Sequence, residues 1–173
     1  MSGERELPQD AVDRHIEQWS RELDQFDRRT EAIITRIQMF EKHLALMHRR
    51  ELDDLGLPEG DQKTLHALRR QGPPYRATPT ELAREQLASP AAMTGRLDRL
   101  ERDGYVTRTH DTADRRRILV ELTPAGHATW ERSMEVMGRS ERALVSALSP
   151  TDQEQLSALL KKLLLAAEQG LGG

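Results

Sequence analysis

Two helix starts about ten residues apart, each marked by a hydroxyl cap and a proline, constrain this 173-residue chain more than any other feature. Thr78-Pro79-Thr80-Glu81 is a capping box with proline at the first helical position. Ser89-Pro90 repeats the cap-plus-proline signal. The first helix must therefore stop near Gln86. The second runs through Met93, Leu97 and Leu100 to Asp103-Gly104, where glycine ends it. A short helix, a tight turn and a second helix have the spacing of a helix-turn-helix.

Beyond Gly104 the chain reads as a β-hairpin. Tyr105 to Arg108 and Ile118 to Leu122 are short β-prone runs, and the polar loop from His110 to Arg117 clusters positive charge near its tip. Thr123-Pro124 starts a long helix, and Ser149-Pro150-Thr151-Asp152 caps a last one carrying Leu156, Leu159, Leu160, Leu163 and Leu164, with fraying expected from Gly170 to Gly173. Upstream, Val12, Ile16, Trp19, Leu23 and Phe26 define a first amphipathic helix. Ile33, Ile37, Phe40, Leu44 and Met47 define a second, ending near Leu52 to Gly56. Leu57-Pro58 opens a third, with Leu65 and Leu68 inward, and Gly72-Pro73-Pro74 closes it. Apolar seams at both ends of the chain call for partners, and a second subunit would supply them.

The fold class is mainly α with a small β-hairpin wing. Residues 10–56 form N-terminal helices, residues 57–122 a winged helix-turn-helix, and residues 123–168 C-terminal helices. The overall charge of −3 conceals an asymmetry: residues 69–120 carry +4 and the remainder −7. A basic segment within an acidic chain is the footprint expected for a polyanion. Cysteine is absent, which excludes disulfides, thiolate metal sites and thiol redox sensing. No apolar run approaches the length of a membrane span and the first ten residues lack a signal-peptide core, so a cytoplasmic protein without a membrane partner is expected.

Four pieces occur in order within residues 80–126. These are Glu81-Leu82-Ala83, Leu97-Asp98-Arg99-Leu100-Glu101-Arg102-Asp103-Gly104-Tyr105-Val106, Asp114-Arg115-Arg116, and Leu122-Thr123-Pro124-Ala125-Gly126. Together they strongly resemble the MarR family of bacterial regulators, over about Asp10 to Glu168. The resemblance implies a ligand-responsive transcriptional regulator, by family default a repressor. It would bind a palindromic double-stranded DNA operator as a homodimer, with the helices at both ends forming the dimer.

On that expectation the recognition helix presents Ser89, Ala91, Ala92, Thr94 and Gly95, small or hydroxylic residues that allow close approach to bases. Arg96 would reach a base or a phosphate, and Arg99 would either grip a phosphate or pair with a nearby acid. The resemblance places Arg116 of the wing in the minor groove with Asp114 orienting it or its neighbours, while Arg115 and Arg117 meet phosphates.

A tryptophan on an extra N-terminal helix is similar to the urate-responsive branch of the family, whose ligand site is proposed to combine a Trp, an Asp and a recognition-helix Arg. Trp19 and Arg96 match two of these. The Asp position holds Lys63, with Asp61 two residues before it. Lys63 and Arg96 would favour an anionic aromatic or carboxylate effector. Core packing for Trp19 and a solvated surface role for Lys63 remain the plain alternatives.

No cofactor, metal or catalytic site is expected. The six histidines are scattered, none at i, i+4, and neither an HExxH motif nor a glycine-rich phosphate loop occurs. An enzyme is thereby disfavoured. A helical ligand-binding or interaction module that has lost DNA binding would need a neutralised wing, and Arg115-Arg116-Arg117 argues against it.

Overall fold

The computed structural model describes residues 8–112 and 114–171. The helices are α1 (Ala11–Glu22), α2 (Arg28–Asp54), α3 (Glu59–Arg70), α4 (Pro79–Glu85), α5 (Pro90–Arg102), α6 (Pro124–Val145) and α7 (Pro150–Leu171), with strands β1 (Arg76–Ala77), β2 (Val106–His110) and β3 (Ile118–Leu122). No helix among the described residues is long and apolar enough to cross a membrane. The chain divides into two compact units, residues 1–50 and 51–173.

In the first unit, Asp10 caps α1 by accepting from the backbone N–H groups of Val12 and Asp13, and Asp13 answers to the Asp10 N–H. Arg36 of α2 donates to Asp10 and Asp13 together, tying the start of α1 to α2. Val12 and Ile16 are buried. The apolar repeat predicts that α1 continues through Phe26, and it does not. Leu23 is already extended, and the Asp27 carboxylate accepts from Arg29 N, Thr30 N and Thr30 Oγ1, so that α2 starts afresh and Phe26 falls in the connection.

The second unit is built on a core of leucines from α3, α4 and α5 closed by the sheet: Leu65, Leu68, Leu82, Met93, Leu97, Leu100, Val106 and Val120 are all buried. Both anticipated caps form. Thr78 and Glu81 exchange hydrogen bonds in a capping box, and Ser89 Oγ accepts from Ala92 N.

The sheet has three antiparallel strands in the order β1-β3-β2 rather than a hairpin alone. Arg76 and Ala77 pair with Glu121 and Val120, a two-residue strand that exists only because β3 offers it an edge. The hairpin also zips further than the sequence predicts, from Val106↔Leu122 to His110↔Ile118, so His110 belongs to β2 and Tyr105 precedes it. At the other end of the chain, α7 continues through Gly170, and Gly172 and Gly173 lie outside the described residues.

An aromatic sandwich fastens α3 to α6. The Arg69 guanidinium sits 4.9 Å from the ring centroids of both Tyr75 and Trp130 and donates to His127 Nδ1 at 2.8 Å. Trp130 Nε1 in turn donates to His66 Nδ1 at 3.2 Å.

Candidate nucleic-acid interface

Helix α5 has two working faces, and its sequence separates them. Met93, Leu97 and Leu100 point into the core, which leaves Ala91, Ala92, Thr94, Gly95 and Asp98 exposed on the opposite side. An added methyl at Gly95 would meet nothing within 4 Å, so this face is open to its surroundings. The Ser89 hydroxyl is committed to the helix cap, and the Thr94 hydroxyl donates to the Pro90 carbonyl at 2.9 Å. The helix therefore presents a low, nearly featureless ridge, flanked by the capped start of α5.

The wing is shaped by backbone hydrogen bonds. Asp114 Oδ1 accepts from Arg116 N at 3.0 Å, and Arg117 N donates to the Asp114 carbonyl at 2.9 Å. Asp114 thus shapes the tip by holding the backbone N–H groups of Arg116 and Arg117. His110 Nδ1 lies 2.9 Å from the Arg115 carbonyl oxygen, across the base of the loop. Arg117 Nη2 approaches Glu81 of the α4 capping box at 3.8 Å. Among the described residues, the guanidinium groups of Arg115 and Arg116 have no partner. Both are exposed, so two full charges stand free at the tip. Ala113, within the same loop, lies outside the described residues.

Two of the three arginines of α5, Arg96 and Arg99, turn the other way, towards α3. Arg99 donates through Nε and Nη2 to the two carboxylate oxygens of Asp61, at 2.6 and 2.8 Å. Asp61 is 1% exposed and the Arg99 side chain 39%. The hydrogen bonds to Asp61 raise the already high pKa of Arg99 further. Of the two roles open to Arg99, this conformation takes the pairing with an acid.

Arg96 lies against Gly60, where a methyl group would come within 2.6 Å of its Nε, and its Nη1 donates to Gln86 Oε1 at 2.9 Å. Thr64 Oγ1, within reach of both the Gly60 carbonyl and Gln86 Oε1, completes the cluster. Sequence reasoning missed Gly60, Gln86 and the Asp61 partnership. The available signal was a pair of arginines three residues apart on a helix, which must share a face.

Beside this cluster, an open groove of about 540 Å³ is lined by Lys63, His66, Arg70, Arg96, Met134 and Met137 among others. Lys63 is paired with Glu59 at 2.6 Å and Arg70 with Glu85 at 3.1 Å. Arg96 has no carboxylate partner among the described residues, its hydrogen bond going to the neutral Gln86 amide. Trp19 belongs to the first unit, half-exposed on α1 with its ring centroid 6.0 Å from that of His15. No group of three or more acidic or histidine side chains able to hold a metal ion occurs among the described residues.

Comparison with known proteins identifies this arrangement. Residues 58–118 match the sequence profile described as the MarR family. The regulator PecS of Dickeya dadantii is 34% identical over 99 residues, covering 57% of this chain and 60% of the relative. The repressor YetL of Bacillus subtilis is 46% identical over 77 residues, covering 44% and 46%. The chain thus spans about half the length of the curated relatives it matches. The crystal structure of apo MarR from Escherichia coli superposes with a TM-score of 0.66 at 29% identity, covering 74% of this chain and 93% of that one. Helix-turn-helix, wing and sequence profile point the same way: over residues 58–118 the chain is similar to the MarR family, and its fold is similar to that of MarR itself.

Proposed function

We propose that this chain is a DNA-binding transcriptional regulator, specifically a repressor. It works in the cytoplasm without enzymatic chemistry, as a homodimer on a palindromic operator, and is released by a small anionic ligand. One observation carries the reading: the exposed ridge Ala91, Ala92, Thr94 and Gly95 stands in the same compact unit as a wing whose Arg115 and Arg116 have no partner among the described residues. A major groove about 12 Å wide admits a helix, and short side chains let its axis come close to the base edges. Free guanidinium groups on a hairpin suit the narrow minor groove and the phosphates beside it. A point mutant of Escherichia coli MarR has been solved with operator DNA, at 29% identity to this chain, and YetL is named a transcriptional repressor.

In this reading residues 57–122 meet the DNA, and the helices of residues 10–56 and 123–168 meet a second copy. Ile33, Ile37 and Phe40 on α2, and Leu159, Leu160, Leu163 and Leu164 on α7, are exposed apolar stripes that a subunit interface would cover. The groove beside Arg96 suits an aromatic acid or carboxylate. Among the described residues lining it, Arg96 is the arginine or lysine without a carboxylate partner and so can take the anion, and Met134 and Met137 supply apolar wall.

The deciding experiment selects duplexes from a random-sequence pool and then measures affinity at several salt concentrations. A palindromic consensus, bound by two copies with steep salt dependence, is the expected result. Arg116→Ala should weaken binding at least about tenfold, equivalent to about 1.4 kcal/mol, with no change in melting temperature. A protein that enriches no sequence and binds all duplexes alike would overturn the reading.

A further inference from the structure

The recognition helix is fastened to the start of α3 by two of its own arginines. Arg96 and Arg99 lie three residues apart, so they project from one face of α5. They meet two consecutive α3 residues: Arg96 lies against Gly60, and Arg99 closes a two-pronged ion pair on Asp61. We propose that Gly60 and Asp61 form the seat that sets the rotation of the recognition helix, with Arg99 a positioning residue acting through Asp61 rather than a phosphate contact. The inference rests on the DNA-binding reading and assigns a role within it.

Three features argue for a seat rather than an incidental contact. Asp61 is 1% exposed, and its carboxylate has Arg99 as its hydrogen-bonding partner, so this charge is tolerable only while α5 holds its place. A carboxylate engaged through both oxygens by Nε and Nη2 of a planar guanidinium fixes direction as well as distance, which a lysine ammonium would not. Gly60 has no side chain where Arg96 lies, and a methyl there would be 2.6 Å from Nε. The arginine can therefore lie flat against the α3 backbone and reach Gln86 at the end of α4. The consequence falls on the far side of the helix. With both arginines turned inward, the small residues of the ridge face outward, with Asp98 at their end held by Arg108. A rotation of α5 would carry the inward arginines towards the DNA in their place.

Two readouts separate positioning from phosphate contact. In Arg99→Gln, loss of a positioning residue lowers affinity for the selected duplex at least about tenfold, leaves affinity for scrambled DNA nearly unchanged, and keeps the salt slope of wild type. Loss of a phosphate contact instead weakens both duplexes alike and lowers the slope by about one per arginine, hence about two per dimer. Asp61→Asn should reproduce the first pattern although it removes no positive charge. The double variant should be no worse than the more severe single one.

Hydrogen exchange on the DNA-free protein supplies an arm independent of DNA. The α5 amides of Arg99→Gln should exchange faster than wild type, and those of Arg99→Lys should fall between. If Asp61→Asn does not fold, Arg99→Gln, whose arginine is part-exposed, decides the matter alone. Unchanged α5 exchange together with a reduced salt slope overturns the seat and leaves the DNA reading intact. Wild-type protein that selects no duplex overturns the DNA reading, while faster α5 exchange in Arg99→Gln would still uphold the seat.

Discussion

A methyl group added at Gly126 would lie 2.0 Å from the Tyr105 carbonyl oxygen, a backbone atom with nowhere to withdraw. Gly126 is buried in the first turn of α6, where its N–H donates to the Thr123 cap and its bare Cα lets the end of the recognition-helix segment pass. The Leu-Thr-Pro-Ala-Gly run is thus more than a strand followed by a capped helix, because its glycine is a contact surface. Gly126→Ala should cost about 3 kcal/mol or more, above the usual overpacking range because the obstacle is main chain. Gly95→Ala should do the opposite. Nothing lies within 4 Å of its new methyl, and a helical alanine gains about 1 kcal/mol over glycine. Chemical denaturation should show the two variants moving in opposite directions. Gly95→Ala should at the same time bind selected DNA more weakly, since the methyl adds height to the ridge. Equal stability changes for the two would refute the packing argument.

Among the elements, those whose ends are local chemistry were legible in the sequence. Thr78, Ser89 and Thr123 each accept from the backbone N–H three residues on, as a hydroxyl before proline predicts. The capping hydrogen bonds from Thr78 hold the Glu81 carboxyl below its ordinary pKa. Elements that depend on a distant partner were not legible. Strand β1 is two residues long and owes its existence to β3, more than forty positions away in sequence. The end of α1 is hidden for a different reason: the apolar spacing runs on through Phe26, while the Asp27 side chain restarts the helix there.

The tie between α1 and α2 makes this first unit sensitive to pH. The Arg36 hydrogen bond, above all, lowers Asp10 from 3.8 to about 2. A lowered carboxyl contributes stability that is complete above its unperturbed value and is lost as pH falls towards about 2. The Trp19 indole NMR resonance, reporting on α1, should therefore shift between about pH 4 and pH 2 in wild type. Arg36→Ala should abolish that acid-sensitive step. An identical titration in both proteins would show that the tie does not hold α1.

At the scale of the whole molecule, the charge asymmetry and the apolar stripes were visible in the sequence, and both survive on the folded surface. The free charges are fewer than the count suggested, however. Arg99 is spent on Asp61 and Arg108 on Asp98 at 2.7 Å, while Arg115 and Arg116 stay without an acid partner among the described residues. Pairings across nearly forty residues of sequence, such as Asp61 with Arg99, leave no periodic trace and could be found only in three dimensions. The apolar stripe of α7 can be tested directly. Leu159 and Leu163 lie one turn apart and are about half exposed. Burying a leucine is worth about 1.5–3 kcal/mol, so Leu159→Lys with Leu163→Lys should weaken self-association at least about a hundredfold. Sedimentation analysis should then find wild type dimeric and the double variant a folded monomer, and a dimer unaffected by both lysines would remove α7 from the proposed interface.

The leucine stripe also bears on how such a regulator would be felt inside a cell. If two copies must meet before either can grip DNA, operator occupancy at low copy number climbs with the square of protein abundance rather than in proportion to it. A modest fall in synthesis, or dilution at division, would then release the promoter more sharply than any single-chain binder could. The number of molecules per cell would then become an input in its own right, alongside the proposed ligand.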